Sequence, residues 1–286
     1  MPENSPALYR AGSGEPVVLL HGFTGTWHHW RPLLGDLASR YDVIAPTLAG
    51  HAGGPPLVLE DHATIAVAAD HLETHLDELG VGTAHFVGNS MGGALSLELA
   101  KRGRARSVVA ISPGATWEVG GGEPERIANF FARQIKLSRA TSRQAPLIVK
   151  RPGIRHVAFR DIMRHGELVS PADALDLMRT SIQCQVIDDV LRALRAGRAH
   201  LEDLDQINVP TRVAWAERDR ILPMALHAGR ARREIPGVDF VVLPKVGHVP
   251  MWDDTPLVLR TITEWVDRHA TGEAVAAAPP TVAAVD

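Results

Sequence analysis

The chain has 286 residues, a formal net charge of −3 with its 14 histidines neutral, 45% hydrophobic and 22% charged residues; this suits one α/β domain with an insertion and excludes a molecule-wide basic surface, so no nucleic-acid partner is expected. A single cysteine, Cys184, excludes an intrachain disulfide and a cysteine-built zinc site and fits a reducing, cytoplasmic setting. The opening "MPENSPALYRAGSGEP" lacks a basic stretch followed by an apolar one, and no apolar run reaches the roughly 18–20 residues of a membrane span, so neither a secretory leader nor stable membrane insertion is expected.

In chain order, near-continuous apolar runs predict strands at 16–22, 41–47, 84–89, 106–112, 211–217 and 238–244, each bounded by Gly, Pro or polar residues. Val, Ile and Leu without alternation suit strands buried on both faces. Helical spacing fills the intervals at about 27–39, 62–79, 91–103, 223–235 and 255–269. The alternation predicts an α/β fold, a mostly parallel central sheet with helices on both faces. From 115 to 205 no strand run occurs. That interval carries helix-like stretches, among them "RIANFFARQIKLS" and "PADALDLMRTSIQCQVIDDVLRALRAG", the second opened by Ser170-Pro171. It reads as a helical lid insertion in a core made of 1–114 and 206–270. The Ala, Val and Pro-rich tail, 271–286, is expected to be disordered.

Ser90 stands between the run "AHFVGN" and the helix-like run from Met91. "GNSMG" is G-x-S-x-G: glycines at 88 and 92 permit a tight strand-to-helix turn that lifts the hydroxyl out of the sheet. The same turn aims the Met91 N–H at a developing oxyanion, at a helix start that favours negative charge. Strand before and helix after is the context that separates this reading from a plain Gly-rich turn with a serine cap.

Five pieces in order, "HGFTG" (21–25), "LAGHAGG" (48–54), "GNSMGG" (88–93), "AERDRILP" (216–223) and "GHVPMWDDTP" (247–256), resemble the α/β-hydrolase superfamily over residues 7–270. The resemblance implies the chain order Ser, acid, His. A serine hydroxyl needs a base, a histidine titrates near neutrality, and a buried carboxylate holds the imidazole in the right tautomer. His248 follows a strand run and a glycine; Asp219 follows the strand run "TRVAWAE". Both fall at the carboxyl edge of the sheet, where catalytic groups gather. Ser90, Asp219 and His248 are thus the expected triad, with Glu217 the competing acid. By resemblance the second oxyanion donor is the backbone N–H of Phe23, and His21 shapes its loop. His51 reads as structural. Ser112 reads as a strand-end residue, and Asp253 and Asp254 as helix N-terminal charges.

No metal and no cofactor are expected. "HLETH" places His71 and His75 one helical turn apart, but the metalloprotease pattern needs Glu directly after the first His, and no phosphate-cradling motif occurs. Residues 126–165 hold ten Lys or Arg and one acid, Asp161. This fits a solvated helical face, or a basic lid that attracts an anionic small-molecule substrate or a membrane surface. The expected activity is carboxylic ester hydrolysis through an acyl-enzyme. Hydrolysis of a carbon–carbon bond in a vinylogous diketone acid is the alternative within the fold, and a non-catalytic binding module the alternative outside catalysis. Dehalogenase and epoxide-hydrolase chemistry fits less well, since those relatives use Asp where this chain has Ser90.

Overall fold

A computed structural model describes residues 7–57 and 64–271. The expected disorder of the tail beyond Thr271, and the start of the helix expected from 62, fall outside the described residues.

Within them, seven strands form one sheet in the order β1-β3-β2-β4-β5-β6-β7. They are β1 (Leu8–Ala11), β2 (Pro16–Leu20), β3 (Asp42–Pro46), β4 (Ala84–Asn89), β5 (Ala105–Ile111), β6 (Thr211–Ala216) and β7 (Asp239–Leu243). β1 pairs antiparallel with β3, Leu8 opposite Pro46, and every other pairing is parallel. The mostly parallel sheet is the expected one. β1 was not foreseen: four residues with only Arg10 buried carry no apolar run.

Helices α1 (Arg31–Ala38), α2 (Ile65–Glu78) and α3 (Met91–Lys101) follow strands β2, β3 and β4. Between β5 and β6 lie α4 (Glu123–Thr141), α5 (Ala145–Ile148), α6 (Pro152–Phe159), α7 (Pro171–Ile182) and α8 (Ile187–Arg195). α9 (Met224–Glu234) and α10 (Thr255–Arg268) flank β7 in sequence. Side-chain caps set several starts. Thr64 accepts the Val67 N–H, Ser170 the Asp173 N–H and Asp254 the Leu257 N–H.

Alternate strand residues feed two cores, as a pleat requires. Val18, Ile44, Phe86, Val108 and Val213 pack with apolar residues of α2, α3 and α9. Val17, Val43, Val87, Val109 and Ala214 pack with α1 and α10. Helices therefore cover both faces. The insertion joins both cores: Ile127 and Leu191 enter the first, Phe159 and Leu177 the second.

Two helix expectations change. The stretch from 27 opens with a 3-10 turn, Trp27–Trp30, before α1, because Thr26 caps His28 and Pro32 sits at the helix start. The long helix expected over 171–197 is two helices. At the break the Gln185 N–H donates to the Gly50 carbonyl at 2.7 Å, a tertiary bond in place of a helical one.

Candidate active site

Ser90 follows β4 at the cap of α3 with φ 57° and ψ −117°, a strained backbone that costs on the order of 1–3 kcal/mol. Neighbours over-determine it. The Ser90 N–H donates to Ile111 O at 3.0 Å, and Ser90 O accepts the Ala94 and Gly114 N–H groups at 3.0 and 2.9 Å. The serine itself, not a glycine, takes the left-handed conformation. Gly88 and Gly92 serve close approach instead: a Cβ on Gly88 would lie 2.0 Å from Gly92 O, and one on Gly92 would lie 2.0 Å from Leu20 O.

His248, which borders the same cavity as Ser90, has its Nδ1 2.6 Å from Asp219 Oδ2, both side chains buried. The other oxygen, Asp219 Oδ1, accepts the Ile221 N–H at 2.9 Å and the Leu222 N–H at 2.7 Å. This carboxylate is held from two sides, and its remaining oxygen faces the imidazole. Glu217 points elsewhere, accepting the Lys245 N–H at 2.8 Å on the exposed surface. Ser112 is buried and its Oγ accepts the Ala216 N–H, a strand-end role.

Two positioning contacts were not legible in the sequence. Asn89 donates from Nδ2 to His248 O at 2.9 Å and to Ile111 O at 3.2 Å, tying the histidine loop to the strand that carries Ser90. Asp253 departs from its expected role. Only Asp254 caps α10, while the Asp253 carboxylate accepts the N–H groups of Gly247, Arg164 and His165 at 2.7, 2.8 and 2.7 Å. It clamps the His248 loop to the insertion. A contact with residues nearly ninety positions away leaves no local pattern.

The loop after β2 lies against the serine, since a Cβ on Gly22 would stand 3.2 Å from Ser90 Cβ. Among the described residues the Phe23 and Met91 N–H groups meet no backbone acceptor outside the helices and strands. His21 braces this loop: its Nδ1 pairs with Gly22 O at 2.8 Å and its Nε2 accepts the Leu48 N–H at 2.9 Å. Burial holds the His21 imidazole well below the usual histidine range and brings His29 and His51 down to about 4. All three are neutral at pH 7. Burial likewise pushes the Cys184 thiol up to about 12, so it is no nucleophile.

Two cavities meet at Ser90. One, of about 300 Å³, is walled by Leu48, His51, Leu95, Trp117 and Val186 and reaches Met91. The other, of about 230 Å³, is walled by His29, Phe130, Ile135 and Met178 and reaches His248. Phe23, Ser90, Phe131 and Ile221 border both. The Phe23 and Phe131 rings meet edge to face, centroids 5.0 Å apart. Among the described residues neither cavity is lined by a lysine or arginine. No lysine or arginine of the basic segment 126–165 lines either cavity, in keeping with its reading as a solvated helical face. His71 and His75 border the larger cavity.

Residues 17–261 match the family model of the Alpha/beta hydrolase family. The chain belongs to the α/β-hydrolase family. Its hydrolytic chemistry is therefore that of this family, and the seven-stranded sheet is the α/β-hydrolase fold. The chain is 33% identical over 207 residues to epoxide hydrolase EphH of Mycobacterium tuberculosis, covering 71% of this chain and 94% of that protein. It is 27% identical over 256 residues to a 2-hydroxy-6-oxo-6-phenylhexa-2,4-dienoate hydrolase of Burkholderia cepacia, covering 86% and 85%. A thermophilic esterase of Thermogutta terrifontis aligns with TM-score 0.68 and 25% identity, covering 93% of this chain and 94% of that one. These α/β-hydrolases act on different bonds, so the reaction of this one must be argued from its own site.

Proposed function

We propose that this chain is a serine hydrolase that cleaves a carboxylic ester of a small to medium, largely apolar substrate through an acyl-enzyme. The observation that carries the reading is the buried His248–Asp219 pair at 2.6 Å, with His248 bordering the same apolar cavity as Ser90. Ser90 Oγ attacks the carbonyl carbon while His248 Nε2 takes its proton. The N–H groups of Phe23 and Met91 hold the oxyanion. The tetrahedral intermediate collapses, His248 returns the proton to the departing alcohol oxygen, and the acyl group stays on Ser90. Water, deprotonated by His248, then releases the acid.

The chambers divide the substrate. His248 must reach the leaving oxygen and lines only the smaller one, which therefore takes the alcohol. The larger one, beside Met91, takes the acyl group. In this reading residues 115–205 act as a lid over a core of 1–114 and 206–270, with Phe131 of α4 forming part of the roof.

Two other reactions fit less well. A serine alkoxide that opened an epoxide would leave an ether on the chain, with no carbonyl for water to attack. A vinylogous diketone acid carries a carboxylate, and neither apolar cavity offers it a cation among the described residues.

The test is turnover of p-nitrophenyl esters from acetate to decanoate by the wild type and Ser90→Ala. Hydrolysis with an optimum above acetate is expected, falling by about 10⁴-fold or more in the variant. Equal rates in the two would remove Ser90 from the mechanism. A wild type that binds esters without turnover would leave a binding module.

A further inference from the structure

The cations of this molecule are distributed unevenly in their pairing. Outside the insertion many arginines are matched: Arg10 with Asp42, Arg102 with Asp70, Glu73 and Glu98, Arg212 with Asp239, Arg230 with Glu234. Within 126–165, Arg126 pairs with Glu123, buried Arg155 donates to backbone carbonyls, and Arg160 has Asp161 nearby. The other seven side chains, Arg133, Lys136, Arg139, Arg143, Lys150, Arg151 and Arg164, are exposed and have no acidic partner among the described residues.

Apolar exposure collects in the same place. Leu137, Leu147, Ile154 and Val157 are four of the eight large hydrophobic side chains left exposed among the described residues. The group also borders the active site. Leu137 is 57% exposed and lines the smaller cavity, so the mouth of that cavity opens beside it. Ile148 of α5 and Ala158 of α6 line the same cavity, next to exposed Leu147 and Val157.

We propose that the exposed surface of α4, α5 and α6 docks on an anionic lipid surface, with the mouth of the smaller cavity turned toward it. Unpaired cations interleaved with aliphatic side chains match the two forces of an interfacial site: attraction to anionic headgroups and shallow apolar burial. No helix among the described residues is long and apolar enough to span a membrane, so docking is peripheral. The other occupants fit the charge and chemistry less well. A symmetric contact with a second copy would set these cations against themselves. A nucleic acid strand would want stacking aromatics, and the exposed large side chains here are all aliphatic, with Phe130 and Phe131 turned into the cavities.

The test is co-sedimentation of the full chain with vesicles of phosphatidylcholine alone and of phosphatidylcholine mixed with phosphatidylglycerol. Binding is expected only with the anionic lipid, weakening as salt rises. The combined Lys136→Gln, Arg139→Gln, Arg143→Gln variant should bind about 100-fold more weakly. Leu147→Ser with Val157→Ser should also weaken binding. Both should keep wild-type turnover of dissolved p-nitrophenyl acetate, which shows that they fold. Equal binding to the two vesicle types, binding to neither, or unchanged binding by both variants would overturn the proposal. So would a dimer in sedimentation velocity that Leu147→Ser dissolves.

Discussion

Asp219→Asn is expected to lower kcat for ester hydrolysis by about 10⁴-fold while the protein stays folded. The size of the effect follows from how the carboxylate is held. Oδ1 accepts two backbone N–H groups, from Ile221 and Leu222. An asparagine must keep its carbonyl oxygen on those donors, because its amide N–H₂ cannot face two further N–H groups. The amide nitrogen is thereby placed where Oδ2 now stands, 2.6 Å from His248 Nδ1. It would donate to Nδ1 and put the imidazole proton on Nε2. His248 could then no longer accept the proton of Ser90. Steady-state kinetics with near-ultraviolet circular dichroism checks this. A variant within tenfold of wild type would mean that Asp219 does not orient the base.

The second large effect is on stability in mild acid. His29 and His51 titrate at about 4 in the folded protein, because burial disfavours their charged forms, and His21 is lowered in the same sense. Unfolded, each titrates near 6.5. Below 6.5 the unfolded chain therefore binds more protons, and stability falls with pH through the window from about 6.5 to 4. Above 6.5 the two states bind equally and these groups add no slope. At pH 5, His29 and His51 together remove on the order of 4 kcal/mol, a large part of a typical 5–15 kcal/mol. Burial lowers His85, His227 and His269 as well, in the same direction. Glu167, held at about 2 by its histidine and backbone partners against the opposing effect of burial, loses its contribution only below its unfolded value of about 4.5. Urea unfolding at pH 7.5, 6 and 5 separates the two. A flat stability over that range would contradict the burial of neutral imidazoles beside the site.

Much of this arrangement was legible in the residues because it is local. A buried parallel strand announces itself as an unbroken apolar run, so β2 to β6 could be placed within a residue or two. The elbow was legible because its glycines sit at fixed offsets from Ser90, although their job is room for Gly92 O and Leu20 O and not a positive φ. Asp219 and His248 could be singled out since each follows a strand end. What stayed hidden depends on tertiary contact. β1 is four residues at an edge, stabilised by pairing and not by an apolar face. The break between α7 and α8 answers to Gly50, far away in sequence. Asn89 and Asp253 hold the His248 loop through backbone groups, which no side-chain pattern encodes. The charge of the segment 126–165 could be counted, but which way its side chains face could not.

The most direct measurement is covalent capture of the nucleophile. The protein would be incubated with a fluorophosphonate and the adduct mapped by intact and peptide mass spectrometry. One adduct on Ser90 is expected, absent from Ser90→Ala and formed far more slowly by His248→Gln. Ester hydrolysis without any adduct, or an adduct on another serine such as Ser112, would contradict the assignment of Ser90 as the nucleophile.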